Sequence, residues 1–209
     1  MPNNYSKSKV FAGEYAGQSD KVVSADNQNN WKTALAEAAF MTGLERNADV
    51  VGMASYAPLF GHTDGWQWKP NLIWVDNLKV MPTPNYQVQK LYSTNKGTHT
   101  LPILYNNQTI TGQDSLYATA SLDIKTNELI IKVVNASNKA QTTAINIESG
   151  KKIASKAKLI LLQNDNLEAT NTMENPAIIA PNEKEILLNG KTLSIDLKGY
   201  SFSIIKIQY

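Results

Sequence analysis

The chain contains no cysteine and only two histidines among its 209 residues. The missing cysteine excludes disulfide bonds and thiolate metal sites, although it does not fix the cellular compartment. The polar N-terminus, MPNNYSKSK, has no apolar segment of the kind found in signal peptides, and no later apolar run is long enough to cross a bilayer. We therefore expect neither a signal peptide nor a membrane segment in this chain, and its localisation stays open.

An excess of charge of one sign is also missing. The chain carries 20 Lys and Arg against 18 Asp and Glu, a net charge of +2, and these residues are scattered along the sequence. Without a basic stripe, nothing indicates nucleic acid or an anionic membrane as a partner. The apolar fraction of 42% is ordinary and can supply a sizeable core. The length suits one large domain or two small ones.

The first half of the chain has the pattern of a strand, a helix and a second strand. The run VFAGEYA at 10–16 predicts a strand, and 31–46 predicts a helix with an apolar stripe and Asn30 as its N-cap. The run at 50–60 is almost continuously apolar, which is typical of a strand buried on both faces of a parallel sheet. Together they predict a βαβ unit. A second helix is expected over 84–96.

From residue 99 onwards the pattern changes to short β-branched runs separated by turn signals. These runs are LYATASLD, ELIIKVVNAS, TTAINIES, AKLILLQN, KEILLNG, TLSIDL and SFSIIKIQY. Their even spacing predicts an antiparallel sandwich or barrel, and Asn189-Gly190 is the strongest single hairpin signal. We therefore expect an α+β protein with domains over 1–98 and 99–209.

Glu14 stands out because it lies inside a run that otherwise reads as a buried strand. A buried carboxylate is costly unless it is paired or hydrogen-bonded. Glu14 is therefore either a surface carboxylate near a loosely held terminus or a functional group. The residues around it leave both interpretations open.

Several ordered blocks of the sequence resemble one enzyme family. VFAGEYA, ALAEAAFMTGLERNADVVGMASYAPLF, WQWKPNLIWVDN and TPNYQVQKLYSTNKG follow one another as in the C-terminal part of the α-L-arabinofuranosidases of glycoside hydrolase family 51. The resemblance continues more weakly through IKVVNAS, MENPAIIAP and YSFSIIKIQ. It implies a remnant of a (β/α)8 barrel over 1–98, with barrel strands seven (10–16) and eight (50–60), followed by a β-sandwich over 99–209.

The resemblance also implies a chemistry, in which Glu14 is the catalytic nucleophile of a retaining glycosidase. Such an enzyme needs a second carboxylate as acid/base, about 5–5.5 Å away. In the family this group lies in an Asn-Glu pair on barrel strand four, upstream of any segment seen in these 209 residues. We expect the chain alone to bind arabinofuranosides poorly and not to turn them over. The parent enzyme would release terminal arabinofuranosyl units from arabinan, arabinoxylan or arabinogalactan. The resemblance allows this parent enzyme to be exported to the periplasm or the cell exterior.

Four further residues are candidates for substrate contact. Tyr15 either orients the nucleophile or packs in the core. Trp66 and Trp68 follow the second predicted barrel strand, where they either stack on a sugar or cover the open end of the barrel, and we favour the cover. His62 either reaches the pocket or is an ordinary polar surface residue, and the latter is the commoner case.

The remaining carboxylates carry no predicted role. Glu37 and Glu45 are expected on the exposed surface of the first helix. Asp123, Asp165 and Asp196 form no loop of the calcium-binding type. Since a phosphate loop and a His cluster are also missing from the sequence, we predict neither metal nor cofactor.

Two alternatives accompany the enzymatic interpretation. The chain could instead be a non-catalytic module whose sandwich is structural or binds carbohydrate. All four Trp lie before residue 75, so sugar binding by the sandwich is the weaker version. Barrel strands with apolar faces also need a cover, which predicts either a homo-oligomer or association with the missing upstream half of the barrel.

Overall fold

The protein has a mixed α+β fold that is mostly sheet. The computed structural model describes residues 8–209, so most of the N-terminal segment without a signal-peptide pattern lies outside the described residues. The helices are α1 (Trp31–Arg46) and α2 (Pro84–Thr94). The strands are β1 (Val10–Tyr15), β2 (Val51–Tyr56), β3 (Phe60–His62), β4 (Ile73–Val75), β5 (Val80–Pro82), β6 (His99–Leu101), β7 (Leu104–Tyr105), β8 (Gln108–Thr109), β9 (Leu116–Asp123), β10 (Glu128–Asn135), β11 (Gln141–Asn146), β12 (Lys156–Gln163), β13 (Asn182–Leu187), β14 (Thr192–Leu197) and β15 (Ser201–Gln208).

The predicted strand–helix–strand unit is present. β1 and β2 pair in parallel, with Tyr15 opposite Tyr56 at their carboxyl ends, and α1 connects them. The side chain of Asn30 caps α1 by accepting a hydrogen bond from the Thr33 N–H at 3.0 Å. The single strand expected over 50–60 is wrong, because β2 ends at Tyr56 and β3 begins only at Phe60. Pro58 lies in the interruption, where it has no N–H to donate to a ladder.

The expectation that this strand pair is buried on both faces is also wrong. Phe11 is 56% exposed and Met53 is 60% exposed. One side of the pair contacts α1, where the Tyr15 ring lies 5.3 Å from that of Phe40. Within residues 8–209 the other side of the strand pair is open to solvent. The continuous apolar pattern of these strands therefore predicts a burial that the described part of the chain does not provide.

The second half forms an antiparallel sandwich. Six strands make one sheet in the order β13-β12-β15-β10-β9-β6, and β11 pairs with β14 in a second sheet. A core cluster that includes Leu193, Ile195 and Ile205 lies between the two sheets. Asn189-Gly190 does form a tight turn, with Gly190 at a φ of 61°, which favours glycine. The turn closes an antiparallel bridge between Asn189 and Thr192, but β13 and β14 do not pair with each other, because the turn carries the chain from the larger sheet to the smaller one.

A helical layer covers the outer face of the six-stranded sheet. Trp31 of α1 is fully buried, and its Nε1–H donates to the Tyr200 carbonyl at 2.9 Å. Tyr92 of α2 stacks on Phe202 with ring centroids 5.1 Å apart. The resulting core cluster joins residues from both predicted domains. β10 and β15 have the helices on one side and the smaller sheet on the other. Both faces of these strands therefore carry apolar residues.

Two smaller points complete the description. α2 ends at Thr94, two residues before the predicted end, and Asn95 follows as its C-cap. In the part of the chain that the structure describes, neither helix has the length and apolarity that crossing a membrane requires.

Candidate functional site

Glu14 lies at the carboxyl end of β1, one residue before that strand ends. Its side chain is exposed, in contrast to the buried appearance of the surrounding sequence. The adjacent Gly13 carbonyl accepts a hydrogen bond from the Ser55 hydroxyl of β2, which ties the two parallel strands together at this point. The Glu14 carboxylate is thus accessible to solvent, while a hydrogen bond from β2 holds the backbone next to it.

Tyr15 follows Glu14 at an irregularity in the pairing of β1 with β2, and its side chain contacts α1 and α2. Its hydroxyl donates to Gln89 Oε1 of α2 at 2.8 Å, and its ring lies 6.1 Å from that of Tyr56. Burial raises the pKa of Tyr15 to about 12. This residue packs between the strand pair and the helices, where it can orient the strand end.

Glu37 of α1 is buried, so the expectation that it lies on the exposed helix surface is wrong. Only 3% of the residue is accessible. Its Oε1 accepts hydrogen bonds from the Gly17 N–H at 2.8 Å and from Asn85 Nδ2 at 2.7 Å. Its Oε2 accepts from Gln89 Nε2 at 3.0 Å. Burial raises the pKa of Glu37 to about 7, while these three hydrogen bonds oppose that rise.

These contacts join into one network around the end of β1. Glu37 holds Gly17 directly and holds Tyr15 through Gln89, so the two attachments flank Ala16. Gly17 approaches α1 closely. A Cβ at this position would lie 3.2 Å from Glu37 Oε1 and 3.1 Å from the backbone oxygen of Thr33. The absence of a side chain at residue 17 therefore permits the contact.

Sequence reasoning missed this network, although two signals were available. Glu37 is surrounded by alanine and has Thr33 and Met41 four residues away on either side, so no basic residue can pair with it along a helix face. Asn85 and Gln89 are also four residues apart and therefore share one face of α2. A lone carboxylate in a small-residue stripe, facing two amides, is typical of a buried hydrogen-bonded group.

The other candidate residues lie in the segment from β3 to β4. His62 ends β3, and its Nδ1 accepts the Asp64 N–H at 3.2 Å. Trp66 is 39% exposed, its ring meets that of Trp74 edge-on at 6.5 Å, and Lys69 Nζ lies 4.5 Å from the Trp66 ring. Trp68 is 47% exposed. The cluster leaves aromatic surface accessible, and the roles of these residues in substrate contact stay predictions.

Glu45 has a structural partner that the sequence did not reveal. Lys132 of β10 is fully buried, and its Nζ lies 2.6 Å from Glu45 Oε1 and 5.2 Å from the Tyr92 ring. Burial lowers the pKa of Lys132, which the nearby Glu45 opposes. Arg46, the next residue of α1, donates to the Ala118 carbonyl at 3.0 Å. Both contacts fasten α1 to the six-stranded sheet.

A second carboxylate for catalysis is not found at the Asn-Glu dipeptides of the sandwich. Glu128 begins β10 and pairs with Lys206 at 2.9 Å, and Glu183 of β13 pairs with Lys158 at 2.7 Å. Both lie in the antiparallel sheet rather than on the parallel pair that carries Glu14. In residues 8–209 no group of three or more His, Asp or Glu side chains is arranged to hold a metal ion.

Comparison with known proteins identifies the family of this chain. Residues 13–201 match the family described as α-L-arabinofuranosidase C-terminal domain. The chain belongs to this family. It is 52% identical over 94 residues to an extracellular exo-α-L-arabinofuranosidase of Streptomyces chartreusis, a match that covers 45% of this chain. It is 33% identical to α-L-arabinofuranosidase 2 of Arabidopsis thaliana over 93% of its length.

A solved structure extends the likeness to three dimensions. The arabinose-bound structure of the MgGH51 α-L-arabinofuranosidase superimposes with a TM-score of 0.85 and 32% identity, over 96% of this chain. The resemblance to the C-terminal part of glycoside hydrolase family 51 enzymes is therefore confirmed. The matched segments span 10% of the Streptomyces protein, 28% of the Arabidopsis protein and 32% of the MgGH51 chain. The chain thus corresponds to a third or less of these relatives.

Proposed function

We propose that this arabinofuranosidase C-terminal domain supplies the nucleophile, Glu14, of a retaining α-L-arabinofuranosidase. The observation that carries the proposal is the exposed carboxylate at the carboxyl end of a parallel strand, in a βαβ unit of a chain of this family. Active sites of (β/α)8 barrels lie at the carboxyl ends of the strands. β1 and β2 then correspond to barrel strands seven and eight, with residues 1–98 as the end of the barrel and 99–209 as the sandwich.

The proposed reaction has two steps. The Glu14 carboxylate attacks the anomeric carbon of a terminal arabinofuranosyl unit while a second carboxylic acid protonates the leaving oxygen. Water then releases the sugar with retained configuration, activated by the same second carboxylate. That partner comes from a part of the enzyme that relatives possess and these 209 residues do not cover. The substrates are arabinofuranosyl ends of plant polysaccharides such as arabinan.

The neighbouring residues receive supporting roles. Tyr15 orients the strand that bears the nucleophile, since its hydroxyl is held by Gln89. Trp66 and Trp68 present aromatic surface after β3, suited to a sugar face or to covering the barrel end. His62 lies in the same segment. The exposed apolar face around Phe11 is covered by the remainder of the barrel, or by a second copy of the chain.

A structural role for the sandwich accompanies this function. The six-stranded sheet holds α1 and α2 through a shared core, in which Phe202 is fully buried under Tyr92. Phe202, the one buried aromatic side chain of residues 99–209, therefore packs against the helices. This favours a brace for the catalytic part over a separate carbohydrate-binding module.

The test compares the chain alone with a chimera in which it replaces the matching C-terminal part of the Arabidopsis relative. The substrate is 4-nitrophenyl α-L-arabinofuranoside. We expect no release of nitrophenol by the chain alone, release by the chimera, and loss of that release in Glu14→Gln. The matched control is Glu185→Gln, at an exposed carboxylate that pairs with Lys156 on the sandwich. A folded chimera that stays active without the Glu14 carboxylate refutes the proposal.

A further inference from the structure

We propose that Glu37 is a positioning residue that fixes the nucleophile by clamping the carboxyl end of β1 to α1. The inference rests on the proposed function, because it takes Glu14 as the nucleophile. Glu37 does not touch the reacting atoms. It acts through the backbone, by holding the residues that directly follow Glu14.

The clamp has two arms on either side of Ala16. The short arm is the hydrogen bond from the Gly17 N–H to Glu37 Oε1 at 2.8 Å. The long arm runs from the Tyr15 hydroxyl to Gln89 Oε1 at 2.8 Å and from Gln89 Nε2 to Glu37 Oε2 at 3.0 Å. Consecutive Cα atoms are held about 3.8 Å apart by planar peptides. Fixing residues 15 and 17 therefore leaves the Glu14 Cα little freedom.

The chemistry of the clamp explains why a carboxylate occupies this position. Only a group with two oxygen acceptors can receive a backbone N–H and two side-chain amides at once. Asn85 Nδ2 supplies the third donor at 2.7 Å and joins α2 to the same group. The ion pairs formed among residues 8–209 do not include Glu37. The carboxylate is thus held by neutral donors alone, and each of them belongs to the elements that must be aligned.

Helix packing by itself gives no reason for Glu37. The two helices are already joined by an apolar core that contains Ala38 and Val88, and the Tyr92 hydroxyl donates to the Ala38 carbonyl at 2.8 Å. A leucine at position 37 could serve that contact. A leucine could not accept the hydrogen bonds from Asn85 and Gln89 of α2, nor the one from Gly17. Of these, only the bond from Gly17 comes from outside the helices, next to the nucleophile strand.

The experiment uses three Glu37 network variants and one control. Glu37→Leu removes both acceptors. Glu37→Gln keeps an oxygen for Gly17, provided that the amide of Gln89 turns over to accept from the new NH₂. Gln89→Leu cuts only the arm to Tyr15. The control is Glu45→Gln, at a largely buried carboxylate of the same helix that pairs with Lys132 rather than with β1. The glutamine oxygen can still accept a hydrogen bond from Lys132 Nζ.

The first readout is amide hydrogen exchange of Gly17 in the 209-residue chain, which does not depend on any role of Glu14. At pH 8, above its pKa of about 7, Glu37 is a charged acceptor, and such a hydrogen bond supports about ten- to hundredfold protection. We expect Glu37→Leu to lose that protection, Glu37→Gln to retain most of it, and both Gln89→Leu and Glu45→Gln to leave it unchanged. Unchanged Gly17 exchange in Glu37→Leu overturns the clamp. If Glu37→Leu does not fold, Glu37→Ala takes its place: loss of Gly17 protection beyond that in Glu45→Gln supports the clamp, and equal protection in these two variants overturns it.

The second readout is kcat and KM of the chimera. Misplacing a reacting group by about 1 Å can cost about a hundredfold in rate. We expect Glu37→Leu to lower kcat by that order at unchanged KM, Gln89→Leu to lower it less, and Glu37→Gln to restore most of it. If the kcat of Glu37→Leu equals that of Glu45→Gln, the positioning role of Glu37 is overturned. If Glu14→Gln leaves the chimera active, the proposed function fails instead, and the Gly17 exchange then reports a purely structural clamp.

Discussion

The titration of Glu37 should lower the free energy of unfolding of the chain as the pH rises. Burial raises the pKa of this carboxyl from an ordinary value of 4.5 to about 7. Between these two values the folded protein keeps a proton that the unfolded chain releases, so the free energy of unfolding decreases with increasing pH. Below 4.5 both states hold the proton, and above about 7 both have lost it. The effect of this group is therefore confined to that window.

The magnitude follows from the width of the window. At about 1.4 kcal/mol for each pH unit between 4.5 and about 7, the folded state loses about 3 kcal/mol. Glu37→Gln carries no titrating proton and lacks this dependence. We expect the variant to gain about 3 kcal/mol relative to the parent chain between pH 4.5 and pH 8. The comparison measures how the difference in unfolding free energy between the variant and the parent chain changes with pH, and not the absolute stability of the variant at one pH.

The assay is urea unfolding followed by tryptophan fluorescence at a series of pH values. Trp31 is fully buried beside α2 and the six-stranded sheet, so its emission reports loss of the helical layer. Glu45→Gln, measured in parallel, controls for the loss of any carboxylate from α1. A stability difference between Glu37→Gln and the parent chain that stays constant across pH 4.5–8, or that changes in the opposite direction, refutes the reasoning on Glu37.

Three further predictions concern the packing. Lys132→Met should cost about 3–5 kcal/mol in denaturant unfolding, since it leaves the Glu45 charge largely buried without its partner, and adding Glu45→Gln should recover part of the loss. Gly97→Ala should cost about 1–3 kcal/mol in the same assay, because its Cβ would lie 2.5 Å from Ser121 Cβ; no measurable loss would contradict the close packing seen there. Phe11→Ser should reduce concentration-dependent association in light scattering, because Phe11 is an apolar residue that is 56% exposed. Unchanged association would show that another surface mediates it.

Periodicity and turn chemistry were sufficient to predict most elements of the fold. The cap at Asn30 located the start of α1, because a cap is a local interaction between residues three apart. The alternation from residue 116 onwards predicted the antiparallel strands. The turn at Asn189-Gly190 was found, but its role was not, since the turn itself does not determine whether the next strand joins the same sheet or another.

Burial was the property that local patterns predicted poorly. The apolar run around Met53 reads as buried, yet it is exposed within residues 8–209, because burial depends on elements that local pattern cannot supply. Glu37 reads as exposed and is buried, because its three donors come from α2 and from the loop after β1. Glu14 was singled out by its odd placement and by the family resemblance, not by any local physical rule.

The central claim, that Glu14 is the nucleophile, is tested most directly by trapping the covalent intermediate in the chimera. A 2-fluoro arabinofuranoside with a dinitrophenolate leaving group needs no acid catalyst, and its fluorine slows release of the bound sugar. Peptide mapping by mass spectrometry then identifies the carboxylate that carries the sugar. We predict an arabinofuranosyl adduct on Glu14, absent from Glu14→Gln. An adduct on any other carboxylate of a folded, active chimera contradicts it.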